Sequence, residues 1–109
     1  MQTDTALAIL AALAHPTRLS TIRLLVQHEP EGLSTGQLVE ASGLSQSTFS
    51  THLAVLVKVG LVIPQKQGRQ QIQRVSIDAL RGLMLFLAKD CCGSRADLCE
   101  PLLAELTCC

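Results

Sequence analysis

The run EASGLSQSTFSTHL, residues 40–53, fits a helix stop and a helix start into three residues. Gly43 is the residue type that most readily takes the left-handed conformation closing a helix, and Ser45 can cap a new one. A corner this tight joins a short helix, Thr35 to Ser42, to a longer one, QSTFSTHLAVLVKVG, as a helix-turn-helix. At 100° per residue, Phe49, Leu53, Leu56 and Val57 share one side of the longer helix. Ser47, Thr51, Ala54 and Lys58, flanked by Thr48 and Ser50, form the other. The first side calls for a core, and the second is a small polar surface.

Around this unit the chain is mostly helical. Thr5 to Ala14 reads as a helix of Ala and Leu with Leu7, Leu10 and Ala14 on one stripe. His15-Pro16 ends it, because the residue before a proline is pushed out of the helical region while Pro16 suits the first turn of a new helix. That second helix is expected to turn Leu19, Ile22, Leu25 and Val26 inward and to end near His28, with EPEGLS as a loop. LVIPQKQGRQQIQRVSI reads as strand, turn, strand around a Gly68-Arg69 tip. Asp78 can cap a last helix, ALRGLMLFLAKD, whose Leu80, Leu83, Met84, Leu85, Phe86 and Leu87 make it apolar on nearly every side. A helix of that kind must be covered, and in 109 residues the expected cover is a second copy of the chain, with the first helix helping. The expected fold is mainly α with a β-hairpin: a homodimeric winged helix-turn-helix over residues 1–90, followed by a separate segment over 91–109.

Composition narrows the function classes. Hydrophobic residues make up 48% of the chain but only two are aromatic, Phe49 and Phe86, so aliphatic side chains must build the core. Nine basic and nine acidic residues give zero net charge, which neither announces nor excludes nucleic-acid binding, since local patches matter more than the sum. The opening MQTDTALAILAALAHP has Asp4 and no basic residue before its apolar run, unlike a signal peptide. No stretch reaches membrane-spanning length. The expectation is a cytoplasmic chain without a membrane partner, whose thiols stay reduced.

The five cysteines, at 91, 92, 99, 108 and 109, all lie in DCCGSRADLCEPLLAELTCC. Clustered thiols in a reducing compartment point to metal or redox chemistry rather than structural disulfides. A thiol enzyme is disfavoured, because apart from Asp90 and Glu100 no acid or histidine accompanies these cysteines. A thiol metal carrier is disfavoured because it leaves the polar helix face unexplained.

ALAHPTRLSTIRLL followed by LSTGQLVEASGLSQSTFSTHLAVLVKVGLV resembles the bacterial ArsR/SmtB family of dimeric, metal-responsive transcriptional repressors, over roughly Ala6 to Lys89. The HPTRL junction, the GLSQSTFSTHL segment and the LVKVGLV run are its most specific parts. The resemblance implies a repressor, not an enzyme, that binds double-stranded operator DNA, an inverted repeat, as a homodimer. The polar face agrees: Gln46, Ser47, Thr48, Ser50 and Thr51 supply donors and acceptors for base edges and phosphates. A capped, solvated helix is the plain alternative. His52, at the edge of this face, resembles a family position near DNA, although a packed or solvated histidine fits as well. Lys66, Arg69 and Arg74 with five glutamines make a mildly basic hairpin. The resemblance implies that its tip touches DNA, with Arg69 as the candidate; an ordinary exposed hairpin is the alternative.

Members of the family sense metals in different places. A cysteine motif on the helix before the recognition helix is absent here, since STGQLVEAS has no cysteine. A carboxylate and histidine site on the last helix is absent too, since His15, His28 and His52 all lie elsewhere. The remaining CC…C arrangement resembles an arsenite-responsive subgroup whose site lies beyond the last helix, which implies Cys91, Cys92 and Cys99 as ligands of trivalent arsenic. A sulfur-only donor set favours arsenic(III), antimony(III) or another soft ion such as cadmium. A tetrahedral zinc site would need a fourth ligand, which Cys108 or Cys109 could supply. On an unbroken helix Cys92 and Cys99 would be separated by about 10 Å of rise, and Gly93-Ser94 offers the break that lets the chain fold back. A reduced tail without ligand and a disulfide redox switch stay open. Cys108-Cys109, at a terminus that frays, reads as a dangling pair.

Overall fold

Proline placement sets the first corner of the molecule. In the computed structural model, which describes residues 1–90 together with Arg95, Asp97, Glu100, Pro101, Ala104 and Glu105, α1 (Thr3–Leu13) ends just before His15. His15 is extended, at φ −155° and ψ 137°, as a residue before proline prefers. Its ring Nδ1 accepts the Thr17 backbone N–H at 3.1 Å and so caps α2 (Pro16–Gln27). The cysteines at 91, 92, 99, 108 and 109 lie outside the described residues.

The second corner, like the first, is legible in the sequence. Ser34 and Gln37 form a reciprocal capping box at the start of α3 (Thr35–Ser42). Gly43 closes that helix at φ 71°, and Ser45 accepts the Thr48 N–H at 3.3 Å to open α4 (Gln46–Lys58). The hairpin follows as β2 (Val62–Gln67) and β3 (Gln70–Val75), antiparallel, with Gln67 opposite Gln70 across the Gly68-Arg69 turn. The expected loop EPEGLS holds a further strand, β1 (Leu33–Ser34), which pairs with β3 to give the order β1-β3-β2. Gly32 makes this seam possible: its φ is 75°, and a Cβ there would lie 2.5 Å from the Gln73 carbonyl oxygen.

The core forms where α1, α2, α3 and α4 meet the base of the sheet, around Ile9, Ile22, Leu25, Leu38, Phe49 and Leu56. Two expected faces are corrected here. On α1 the inward side chains are Ala6, Ile9 and Ala12, whereas Leu7, Leu10 and Ala14 are exposed. On α2, Ile22 and Leu25 are buried as expected, but Leu19 and Val26 face outward. In α1 the small alanines let the helix pack closely, and the leucine stripe is left for the surface.

The last helix, α5 (Ile77–Leu85), is capped by Ser76, whose Oγ accepts the Ala79 N–H at 3.2 Å. Asp78, the expected cap, sits in the first turn and pairs with Arg81 at 3.6 Å. A π-helical turn, Phe86–Asp90, continues the helix. Leu83 is buried in this chain's own core, while Met84, Leu85 and Leu87 remain exposed. Among the described residues no single helix is long and apolar enough to cross a membrane.

Candidate nucleic-acid interface

Phe49, Leu53 and Leu56 fasten α4 to the core, so the opposite face must point outward. Gln46, Ser47, Thr48, Ser50, Thr51, Ala54 and Lys58 are all exposed. Their hydroxyls are not equivalent. Ser45 Oγ donates to Thr48 Oγ1 at 2.9 Å and lies 3.4 Å from Ser47 Oγ, which ties the first turn into its cap. Thr51 Oγ1 donates back to the Ser47 carbonyl at 3.2 Å. Gln46 and Ser50, like Lys58, make no side-chain hydrogen bond among the described residues, so their polar groups are left for an external partner.

Both of those residues also line an open cleft of about 490 Å³ between α4, the start of α3 and β3, with Thr35, Gly36, Gln71 and Gln73 on its other walls. Gln73, one of the five glutamines of the expected polar wing, is 2% exposed. Its Nε2 donates to Thr35 Oγ1 at 3.1 Å, and that hydroxyl donates to the Gln71 carbonyl at 3.5 Å. Gln73 therefore braces the wing root against the start of α3. Its Oε1 is buried with no partner among the described residues. A period-two reading of β3 cannot find this brace, because Ile72 and Gln73 are buried side by side.

The wing's three cations separate in the same way. Lys66 and Arg69 are exposed at and near the tip. Arg74 turns back to Glu29, with Nε donating to Oε1 at 3.1 Å and Nη2 to Oε2 at 2.9 Å. This two-pronged pair holds the Glu29 carboxyl below its ordinary value, chiefly through the hydrogen bond from Arg74, and raises Arg74 in return. Arg74 thus secures the sheet to the loop after α2, and the wing's free positive charge is confined to Lys66 and Arg69.

His52 lies at the rim of the polar face but is half-buried. Its ring centroid is 4.2 Å from that of His15, tilted by 34°, and its Nδ1 is 3.4 Å from Arg18 Nη1. Burial, followed by the charges of His15 and Arg18, lowers its pKa from the ordinary 6.5. Among the described residues no group of three or more His, Cys, Asp or Glu side chains could hold a metal ion. The proposed ligands Cys91, Cys92 and Cys99 lie outside those residues.

The chain is similar to known proteins over this part of its fold. Residues 13–65 match the family described as a helix-turn-helix domain. The HTH-type transcriptional regulator YgaV of Escherichia coli is 32% identical over 82% of this chain and 88% of its own length. The "Probable mercury resistance operon repressor" of Streptomyces lividans is 31% identical over 82% of this chain and 76% of its own. Among solved structures, the homodimeric winged helix-turn-helix DNA-binding domain of a possible ArsR-family transcriptional regulator from Mycobacterium bovis superposes with a TM-score of 0.65. It is 29% identical, over 75% of this chain and 74% of that one.

Proposed function

The chain belongs to the ArsR family of helix-turn-helix transcriptional regulators, and from that premise we propose that it is a homodimeric repressor released from its operator by trivalent arsenic. The observation that carries the effector is the confinement of all five thiols to residues 91–109. Cys91, Cys92 and Cys99 present sulfur and no imidazole, a donor set that fits a soft, three-coordinate ion. To release DNA, the ion must bind the DNA-free conformation better than the DNA-bound one. A site that follows the last helix could do so by changing the distance between two recognition helices, which must match half-sites about one helical turn apart.

On this reading Ser47, Ser50 and Thr51, with Gln46 and Thr48, read the operator from α4, and Arg69 meets its backbone from the wing. Arg69→Ala is expected to weaken operator binding only modestly. It should lower the slope of log affinity against log salt by about one for each phosphate that is no longer neutralised. A salt titration by fluorescence anisotropy measures both quantities, and an unchanged slope removes the wing tip from the backbone.

The dimer reading draws on the exposed Leu7 and Leu10 of α1 and the exposed Met84 and Leu85 of α5, together with the homodimeric neighbour. A single chain leaves these aliphatic side chains in water, and a symmetric partner would bury them. Leu85→Lys should then give folded monomers by sedimentation, with the far-ultraviolet spectrum of the wild type. Leu83→Asp should unfold the chain instead, because Leu83 is 4% exposed within the monomer core. A wild-type chain that sediments as a stable monomer at micromolar concentration defeats the assembly.

A second effector, mercury(II), follows from the kinship with a mercury resistance operon repressor and shares the thiolate chemistry. Titrating the reduced protein with arsenite, antimonite, mercuric ion, zinc and peroxide, while following binding to a duplex selected from random DNA, separates these effectors. Release by arsenite at stoichiometric concentration supports the proposal. Release by peroxide alone replaces it with a disulfide switch.

A further inference from the structure

Three helices meet at one polar point that the operator reading leaves unused. Arg18, on α2, donates through Nε to the Ala12 carbonyl at 2.6 Å, which places a cation on the C-terminal end of α1. Its Nη1 reaches His52 Nδ1, on α4, at 3.4 Å. His15, in the corner between α1 and α2, caps α2 through Nδ1 and lays its ring against that of His52, 4.2 Å between centroids. We propose that Arg18, His15 and His52 form a proton-sensitive clamp that positions the recognition helix against the α1–α2 corner, so that operator affinity falls when the His52 ring takes up a proton. This inference rests on the operator-binding reading above.

The hydrogen-bond chemistry of the cluster leaves little choice. A backbone N–H and a guanidinium are donors only, so each Nδ1 here must offer a lone pair. Protonation turns that nitrogen into a donor. For His52 it removes the Arg18 contact. It also sets a positive ring beside Arg18 and beside the other ring. His15 and Arg18 are the titratable and charged groups that face His52 from the elements packed against it, and both act against its charged form. The fold therefore holds His52 below its ordinary value of 6.5, with burial as the largest cause. The unfolded chain then takes up this proton first, so stability declines as pH falls through 6.5.

The sign of the effect separates a clamp from a contact. A His52 that touched phosphate would gain affinity on acidification, because DNA stabilises the charged ring. The clamp predicts the reverse. At constant ionic strength, operator affinity of the wild type should fall between pH 7.5 and 5.5 by up to about tenfold for each subunit, the limit for one proton with a midpoint below 6.5, and the two subunits of a dimer multiply the effect. His52→Gln, which keeps an acceptor but cannot titrate, should flatten that profile whatever its affinity at pH 7.5. Arg18→Lys keeps the charge but lacks the planar fork that serves Ala12 and His52 together, so it should weaken operator binding at pH 7.5. The independent readout is the imidazole Cε1–H resonance of His52 in the DNA-free protein. Its midpoint should lie below that of an ordinary histidine and rise in both His15→Gln and Arg18→Gln.

Affinity that rises on acidification, a His52→Gln profile matching the wild type, or a His52 midpoint unmoved by both neighbouring substitutions overturns the clamp. Absence of operator binding at pH 7.5, with the ring coupling as expected, overturns the operator reading instead, and the two failures are distinguishable.

Discussion

Ser50→Glu is expected to reduce operator binding by at least about a hundredfold, while sedimentation and thermal unfolding stay at wild-type values. Ser50 is exposed, and its hydroxyl makes no hydrogen bond among the described residues, so the fold does not require it. A carboxylate at that position would enter the groove beside base-edge acceptors and phosphates, where it can accept but never donate. A good bidentate side-chain to base pair discriminates by about 1–3 kcal/mol and a single hydroxyl contact by less, but a dimer would forfeit the contact in both half-sites while adding two repulsive charges. Thr51→Glu should behave in the same way, with a small added cost from breaking its bond to the Ser47 carbonyl. Anisotropy with a fluorescent operator duplex measures both. Full affinity in the two variants would take α4 out of the groove.

The second large effect lies in the tail. Cys91→Ser, Cys92→Ser and Cys99→Ser are each expected to bind operator as the wild type does and to stay bound at arsenite concentrations that release the wild type completely. A three-coordinate arsenic deprived of one thiolate keeps two bonds that free thiols readily exchange, so the response should all but vanish at each position. Replacing Cys108 and Cys109 together should change the response little, since Cys91, Cys92 and Cys99 would already supply the three sulfurs that a three-coordinate ion takes. X-ray absorption of the arsenite complex should show three sulfur neighbours and no nitrogen. Cys91→Ser and Cys99→Ser proteins that still respond, or a response abolished only by replacing Cys108 and Cys109, would move the site to the last residues.

The sequence is most legible where a residue type has few alternatives. Gly43 at φ 71° and the serine caps of α3 and α4 are local necessities, and they place the helix-turn-helix to the residue. The face of α4 is legible because Phe49, Leu53 and Leu56 have no rival stripe. On α1 there are two apolar stripes, and by hydropathy the leucines outweigh the alanines. Close helix packing prefers Ala6 and Ala12, so the greasier stripe goes to the surface. Hydropathy cannot divide a chain's own core from a surface that awaits a partner.

The remaining differences depend on distance or on near-equivalent neighbours. Ser76 and Asp78 are both good caps two residues apart, and tertiary packing selects Ser76. A two-residue strand such as β1 has no periodicity to detect. Arg74 looks like Lys66 and Arg69 until the fold brings Glu29, 45 positions away in the chain, against it. Gln73 and Arg18 take their roles from Thr35 and His52, 38 and 34 positions away. The proposed ion site is legible only as donor chemistry, because the cysteines proposed for it lie outside the described residues.

The Arg74–Glu29 pair also bears on how such a protein would find its target. Affinity for random DNA grows with the number of phosphates a protein neutralises, and this pairing leaves Lys66 and Arg69 as the exposed cations of each wing. A wing so lightly charged would add little to the hold on arbitrary duplex. On the operator reading, such a wing would favour short, repeated encounters from solution over long scans along one stretch of chromosome. On the same reading, recognition would fall to the hydroxyl and amide groups of α4, whose contacts change with base sequence and respond little to ionic strength.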